Sequence, residues 1–92
     1  RDYYVYVPNT FTPNGDIITD RIKVEAIGIE GLVWQIFNRW GLMVFSTHKL
    51  QDSWDGKING KEATEGVYSY KIILFLPFGD IKEQTGIFTL VR

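Results

Sequence analysis

His48 is the only histidine in this 92-residue chain, and there is no cysteine. Ser46, His48 and Asp52 supply the side-chain types of a nucleophilic relay: hydroxyl, base and orienting carboxylate. They sit close together in a polar stretch, and local spacing of this kind is that of a solvated loop, not of a triad. Paired carboxylates perform acid–base catalysis when burial pushes their pKa values apart. The chain has eleven Asp and Glu residues, and none lies inside an apolar run. The reading is a protein that is not an enzyme.

A second chemistry is suggested by "NTFTPNGDIITDRIKV", residues 9–24. Asn14, Asp16 and Asp20 are hard oxygen ligands of the type that binds Ca²⁺. An EF-hand loop needs acids at alternate positions, glycine at the sixth and a bidentate Glu at the twelfth. Counted from Asn14, the sixth residue is Thr19, and the twelfth is Glu25 in a strand-like stretch. A turn accounts for the same residues: Pro13 presets φ, Asn14 and Gly15 tolerate the positions after it, and Asp16 caps free N–H groups. The turn is the primary reading, and Asn14, Asp16 and Asp20 are the Ca²⁺ candidates should an ion bind.

A third chemistry is sugar stacking, for which Trp34, Trp40, Trp54, Tyr68 and Tyr70 are the candidate platform. In a small β domain the same residues serve as core and rim. Trp34 falls mid-strand, and Trp54 precedes an Asp55-Gly56 turn from which it can fold back as a plug.

The elements that must hold these groups are strands. Nine glycines and three prolines divide short runs of Val, Ile, Tyr, Phe and Trp, the pattern of an all-β domain. Strands are expected at Tyr3–Val7, Asp20–Ile27, Leu32–Trp40, Leu42–Ser46, around Lys57 and Ile58, at Val67–Leu76 and at Ile81–Arg92, the last with a break near Gly86. In the second, Ile22, Val24 and Ala26 face one way and Arg21, Lys23 and Glu25 the other. In the long Val67–Leu76 run, Tyr68, Tyr70, Ile72, Leu74 and Leu76 share an apolar face. Asn38-Arg39-Trp40-Gly41 is a tight connection with Gly41 free to take positive φ. The fold expected is an immunoglobulin-like antiparallel β-sandwich of about seven short strands.

At 45% hydrophobic and 15% aromatic residues, one domain, residues 1–92, has material for one core. A formal charge of −1 without blocks of like charge argues against nucleic acid as a partner. The longest apolar run, Ile72 to Phe78, carries Pro77 and is far shorter than the ~18 residues that span a membrane. Arg1 is not a natural initiator, so the segment is expected to be excised from a larger secreted protein.

Three separated motifs narrow the reading: "PNTFTPNGD" (residues 8–16), "IFNRWGLMVF" (36–45) and "WDGKINGKEATEGVYSYKI" (54–72), with a terminal "GIFTLVR". In this order they resemble the gliding-motility-associated C-terminal domain, the type B sorting domain of type IX secretion in Bacteroidetes, over nearly the whole chain. The resemblance implies a β-sandwich at the C-terminus of a large protein. It also implies export of the attached N-terminal cargo through the periplasm and outer membrane to the cell surface or beyond. The partners it implies belong to the type IX secretion machinery, with PorP/SprF-type outer-membrane proteins foremost. The family follows FTPNGD with a glycine and then an Asn-Asp pair; here Ile17 and Thr19 differ, which removes one oxygen ligand.

The recognition candidates are Asn9, Thr10, Phe11, Pro13, Asn14 and Asp16, then Asn38, Arg39, Trp40 and Gly41, then Trp54, Asp55 and Gly56. Beside recognition, each has a structural role to fill: Phe11 and Trp54 pack, Gly15, Gly41 and Gly56 shape turns, and Arg39 stacks on Trp40 or pairs with Asp55. The competing function is a carbohydrate- or surface-binding module of an extracellular protein. Recognition by a partner is expected at edge strands, the first and the last.

Overall fold

The computed structural model describes residues 3–11 and 21–91. Pro13, Asn14, Gly15, Asp16, Ile17, Thr19 and Asp20 lie outside them, so the expected turn and the Ca²⁺ candidates do too. Nine strands are present among the described residues: β1 (Tyr4–Tyr6), β2 (Thr10–Phe11), β3 (Glu25–Ile27), β4 (Gly31–Phe37), β5 (Met43–Thr47), β6 (Lys57–Ile58), β7 (Lys61–Glu62), β8 (Gly66–Phe75) and β9 (Ile81–Leu90). A single 3₁₀ turn, Pro77–Gly79, joins the last two. No helix among these residues is long and apolar enough to cross a membrane.

The main sheet runs β2-β9-β8-β4-β5, and two-stranded sheets β1-β3 and β6-β7 accompany it. The fold is all-β and sandwich-like, as expected. It departs from a purely antiparallel build at one place: β2 pairs with β9 in parallel, Thr10 opposite Thr89 and Phe11 opposite Leu90. This strand is two residues long and is not among the strands expected from the sequence. A parallel pair needs a partner distant in sequence, and nothing local announces it.

Alternation builds the core. Leu32, Trp34 and Ile36 of β4 are buried, as are Tyr68, Ile72 and Leu74 of β8 and Phe88 and Leu90 of β9. Opposite them pack Val5, Val7, Ala26 and Ile29, together with buried Ile22 and Val24. The expected alternation from Arg21 to Ala26 holds in burial, although only Glu25–Ile27 form strand; Ile22 instead makes an isolated bridge to Trp54.

The closing strand is not broken at Gly86. β8 and β9 pair without interruption from Gly66–Leu90 to Phe75–Ile81, with Tyr70 opposite Gly86. A Cβ added at Gly86 would stand 2.5 Å from the Tyr70 hydroxyl and 2.7 Å from its Cζ. The tyrosine ring therefore lies over the glycine and fills its missing side chain, as cross-strand aromatic pairs do in sheets. Gly86→Val is expected to cost about 1–3 kcal/mol, the range for overpacking. Adding Tyr70→Ala should recover part of that loss, a non-additivity that urea denaturation of the double-mutant cycle measures. Additive losses would mean that the ring does not depend on the glycine.

Candidate functional site

The second motif forms a hairpin tip between β4 and β5. The Asn38 N–H donates to the Leu42 carbonyl at 2.9 Å and the Gly41 N–H to the Asn38 carbonyl at 3.0 Å. The Asn38 side-chain Oδ1 accepts from the Trp40 N–H at 2.9 Å and the Leu42 N–H at 3.0 Å. Gly41 takes φ +85°, the left-handed residue that closes a three-residue hairpin loop. Asparagine and glycine thus hold the loop, and Arg39 and Trp40 are what it presents. Trp40 is 74% exposed, and the Arg39 guanidinium lies 5.4 Å from the centre of its ring. Of the two expected roles for Arg39, stacking is the one found.

The third motif is a plug followed by a hairpin. The Trp54 indole N–H donates to the Lys57 carbonyl at 3.1 Å, and Asp55 Oδ1 accepts from the Lys57 N–H at 3.1 Å. Gly56, at φ +79°, turns the chain, and its carbonyl accepts from Ala63 at 2.8 Å. β6 and β7 follow, joined by Asn59 and Gly60 at φ 54° and 82°, a two-residue turn with both centres left-handed. One short strand was expected here and two form.

The described part of the first motif meets this plug. Phe11, 2% exposed, lies 5.9 Å from Trp54 and 6.4 Å from Phe88 between ring centres. Trp54 in turn meets Tyr68 at 5.4 Å and Phe88 at 6.2 Å. Backbone bonds secure the strand: Thr89 N–H to the Asn9 carbonyl at 3.0 Å and Val91 N–H to the Phe11 carbonyl at 2.9 Å. Asn9 and Thr10 remain exposed.

The three motifs converge on the start of β8. Tyr68 receives Trp54, and two residues earlier Gly66 receives Arg39. A Cβ on Gly66 would stand 2.9 Å from Arg39 Nη2, and Gly66 has φ +146°. Beside this contact is a cleft of about 170 Å³ between the Arg39–Trp40 tip and the segment Lys61–Val67. Gly66 is the site residue that sequence reasoning missed. "EG" reads as turn punctuation, and only the fold shows that the glycine seats an arginine from another hairpin.

The other proposed chemistries fare differently. Trp34, Trp54 and Tyr68 are buried, and Tyr70 is half-buried, so the five aromatics form no stacking platform. Asp52 accepts from the Thr47 hydroxyl. Thr47 is buried while its neighbour Ser46 is exposed, so the carboxylate serves the opposite face of β5 from Ser46 and no relay assembles. Among the described residues there is no cluster of three or more His, Cys, Asp or Glu side chains able to hold a metal.

A model of the CHU_C type IX secretion signal domain matches residues 5–90. The chain belongs to that family. Neither a curated protein nor a solved structure matches it. Within this type IX signal domain, the named motifs divide by burial. Phe11 and Trp54 build the fold, Asn38, Gly41, Asp55 and Gly56 shape turns, and Arg39 and Trp40 stand out from it.

Proposed function

We propose that this domain is a non-catalytic C-terminal sorting signal of a larger secreted protein, read by protein–protein contact at the Arg39–Trp40 tip and its cleft. The family match over residues 5–90 carries the reading. The exposed tryptophan supports the choice of surface, since Trp and Arg are the side chains that most often dominate interface energies. The cargo is the covalently attached N-terminal part of the protein, and the destination is the cell surface or the medium. The receptors are components of the type IX machinery, with PorP/SprF-type outer-membrane proteins as the first to test.

The experiment fuses a fluorescent, periplasm-directed passenger to residues 1–92 in a type IX host and in a secretion-null strain. Surface or extracellular fluorescence in the competent host alone is expected. A folded fusion that stays periplasmic in that host, while another domain of the family is exported, would overturn the reading.

A further inference from the structure

We propose that the free edge of β5 is where an extended strand of the export machinery adds to the main sheet, an inference that rests on the sorting reading above. Among the described residues the main sheet has two open edges. One is β5; the other is the part of β9 before Thr89, where β2 ends. The last strand is therefore not a simple edge: it is flanked by β8 along its length and capped by β2 at its end.

The two edges differ in chemistry. The open part of β9 carries Lys82, Glu83 and Gln84, and Lys82 and Gln84 stand opposite Leu74 and Ile72, on the inward face of the sheet. Polar and charged residues on the inward face of an edge are a device that discourages another strand from pairing. From Gly41 to Thr47 the chain has no charged residue and no proline. Its hairpin end exposes Trp40 at 74%, Leu42 at 65% and Met43 at 54%, close together in the chain, whereas the exposed apolar residues of β9, Ile81 and Ile87, stand six positions apart. β5 has one bulge, where the register shifts between Ile36 and Phe37, and pairs regularly with β4 from Phe45 to Thr47; this uncharged stretch beside an apolar corner suits strand addition, in which main-chain bonds supply affinity and side-chain contacts supply selection.

The occupant is a stretch of a partner protein, extended, uncharged and about as long as β5, with one large apolar side chain placed over Trp40 and Leu42. A second copy of this chain fits less well. A two-fold antiparallel pair of β5 strands would set each apolar corner against the polar His48–Lys49 end of the other copy. A partner strand supplies its own apolar side chain to that corner.

The test places single charges on each edge of the exported fusion. Met43→Lys and Ser46→Lys alter exposed side chains of β5; Ile81→Lys and Ile87→Lys, at positions 61% and 65% exposed, are the β9 controls. Thermal melting selects variants that retain the wild-type fold, and a photo-crosslinking residue at Ser46 reports the neighbour. We expect β5 charges to lower export at least tenfold, β9 charges to leave it within twofold, and Ser46 to crosslink an outer-membrane component of the machinery. Normal export of folded β5 variants, equal loss from both edges, or a crosslink joining two copies of the fusion would each overturn the edge proposal while leaving the sorting reading standing. Failure of the unaltered fusion to leave the periplasm would instead remove the sorting reading beneath it.

Discussion

Trp54→Ala should strip the domain of a large share of its stability. The indole is 2% exposed and touches Phe11, Tyr68 and Phe88. Its backbone also bonds Ile22 in both directions, at 2.9 and 3.0 Å. Removing a buried tryptophan costs about 3–5 kcal/mol through lost transfer energy and the cavity left behind. A chain of this size has on the order of 5–14 kcal/mol in all, at ~0.05–0.15 kcal/mol per residue. The loss is therefore between about a fifth and the whole of that total. Urea denaturation should show a midpoint lower by roughly 2 M, from a slope of ~1–3 kcal/mol per molar. Export of a Trp54→Ala fusion should fail together with folding. A midpoint within 0.5 M of wild type, on the same order-of-magnitude slope, would mean that the aromatic cluster is not what holds the motifs together.

Trp40→Ala should do the reverse. The ring is exposed, and its contact with Arg39 at 5.4 Å is worth only about 0.5–1 kcal/mol at a surface. The melting transition should move little. If the tip is the recognised surface, loss of an interfacial tryptophan removes about 2 kcal/mol or more of binding, which is over tenfold in affinity. Delivery of the fluorescent passenger should fall by about that factor. A Trp40→Ala fusion that folds normally and is delivered at the wild-type rate would move the recognised surface away from the tip. Together the two tryptophans separate a motif's part in folding from its part in recognition.

How legible these features were depended on whether they were local. The alternation of Arg21 to Ala26, the Asn38–Gly41 turn and the plug at Trp54 follow from side-chain period, φ preference and a neighbouring turn, all readable within a few residues. The contacts that assemble the site are not local. Thr10 and Phe11 become a strand only because Thr89 and Leu90 lie beside them. Gly86 reads as a break until Tyr70 is seen lying across it. Gly66 looks like an ordinary turn residue until Arg39 arrives from a hairpin some 27 positions earlier. The aromatics were legible by the same local rule: Trp34 mid-strand and Trp54 before its turn read as core and are buried, which leaves no sugar platform.

The parallel pairing of β2 with β9 has a consequence for when the signal becomes readable. Phe11 emerges early in synthesis, but the strand that holds it, and Phe88 and Leu90 beneath it, emerge almost eighty residues later. Contacts so distant in sequence form late and slowly. A ribosome that stalls before Thr89, or a protease that trims the chain back to it, leaves Phe11 without Leu90 opposite it and without the Val91 bond to its carbonyl. Such a chain has no finished fold to present. A secretion-signal domain built this way completes its fold only once Thr89 and Leu90 are in place beside Thr10 and Phe11.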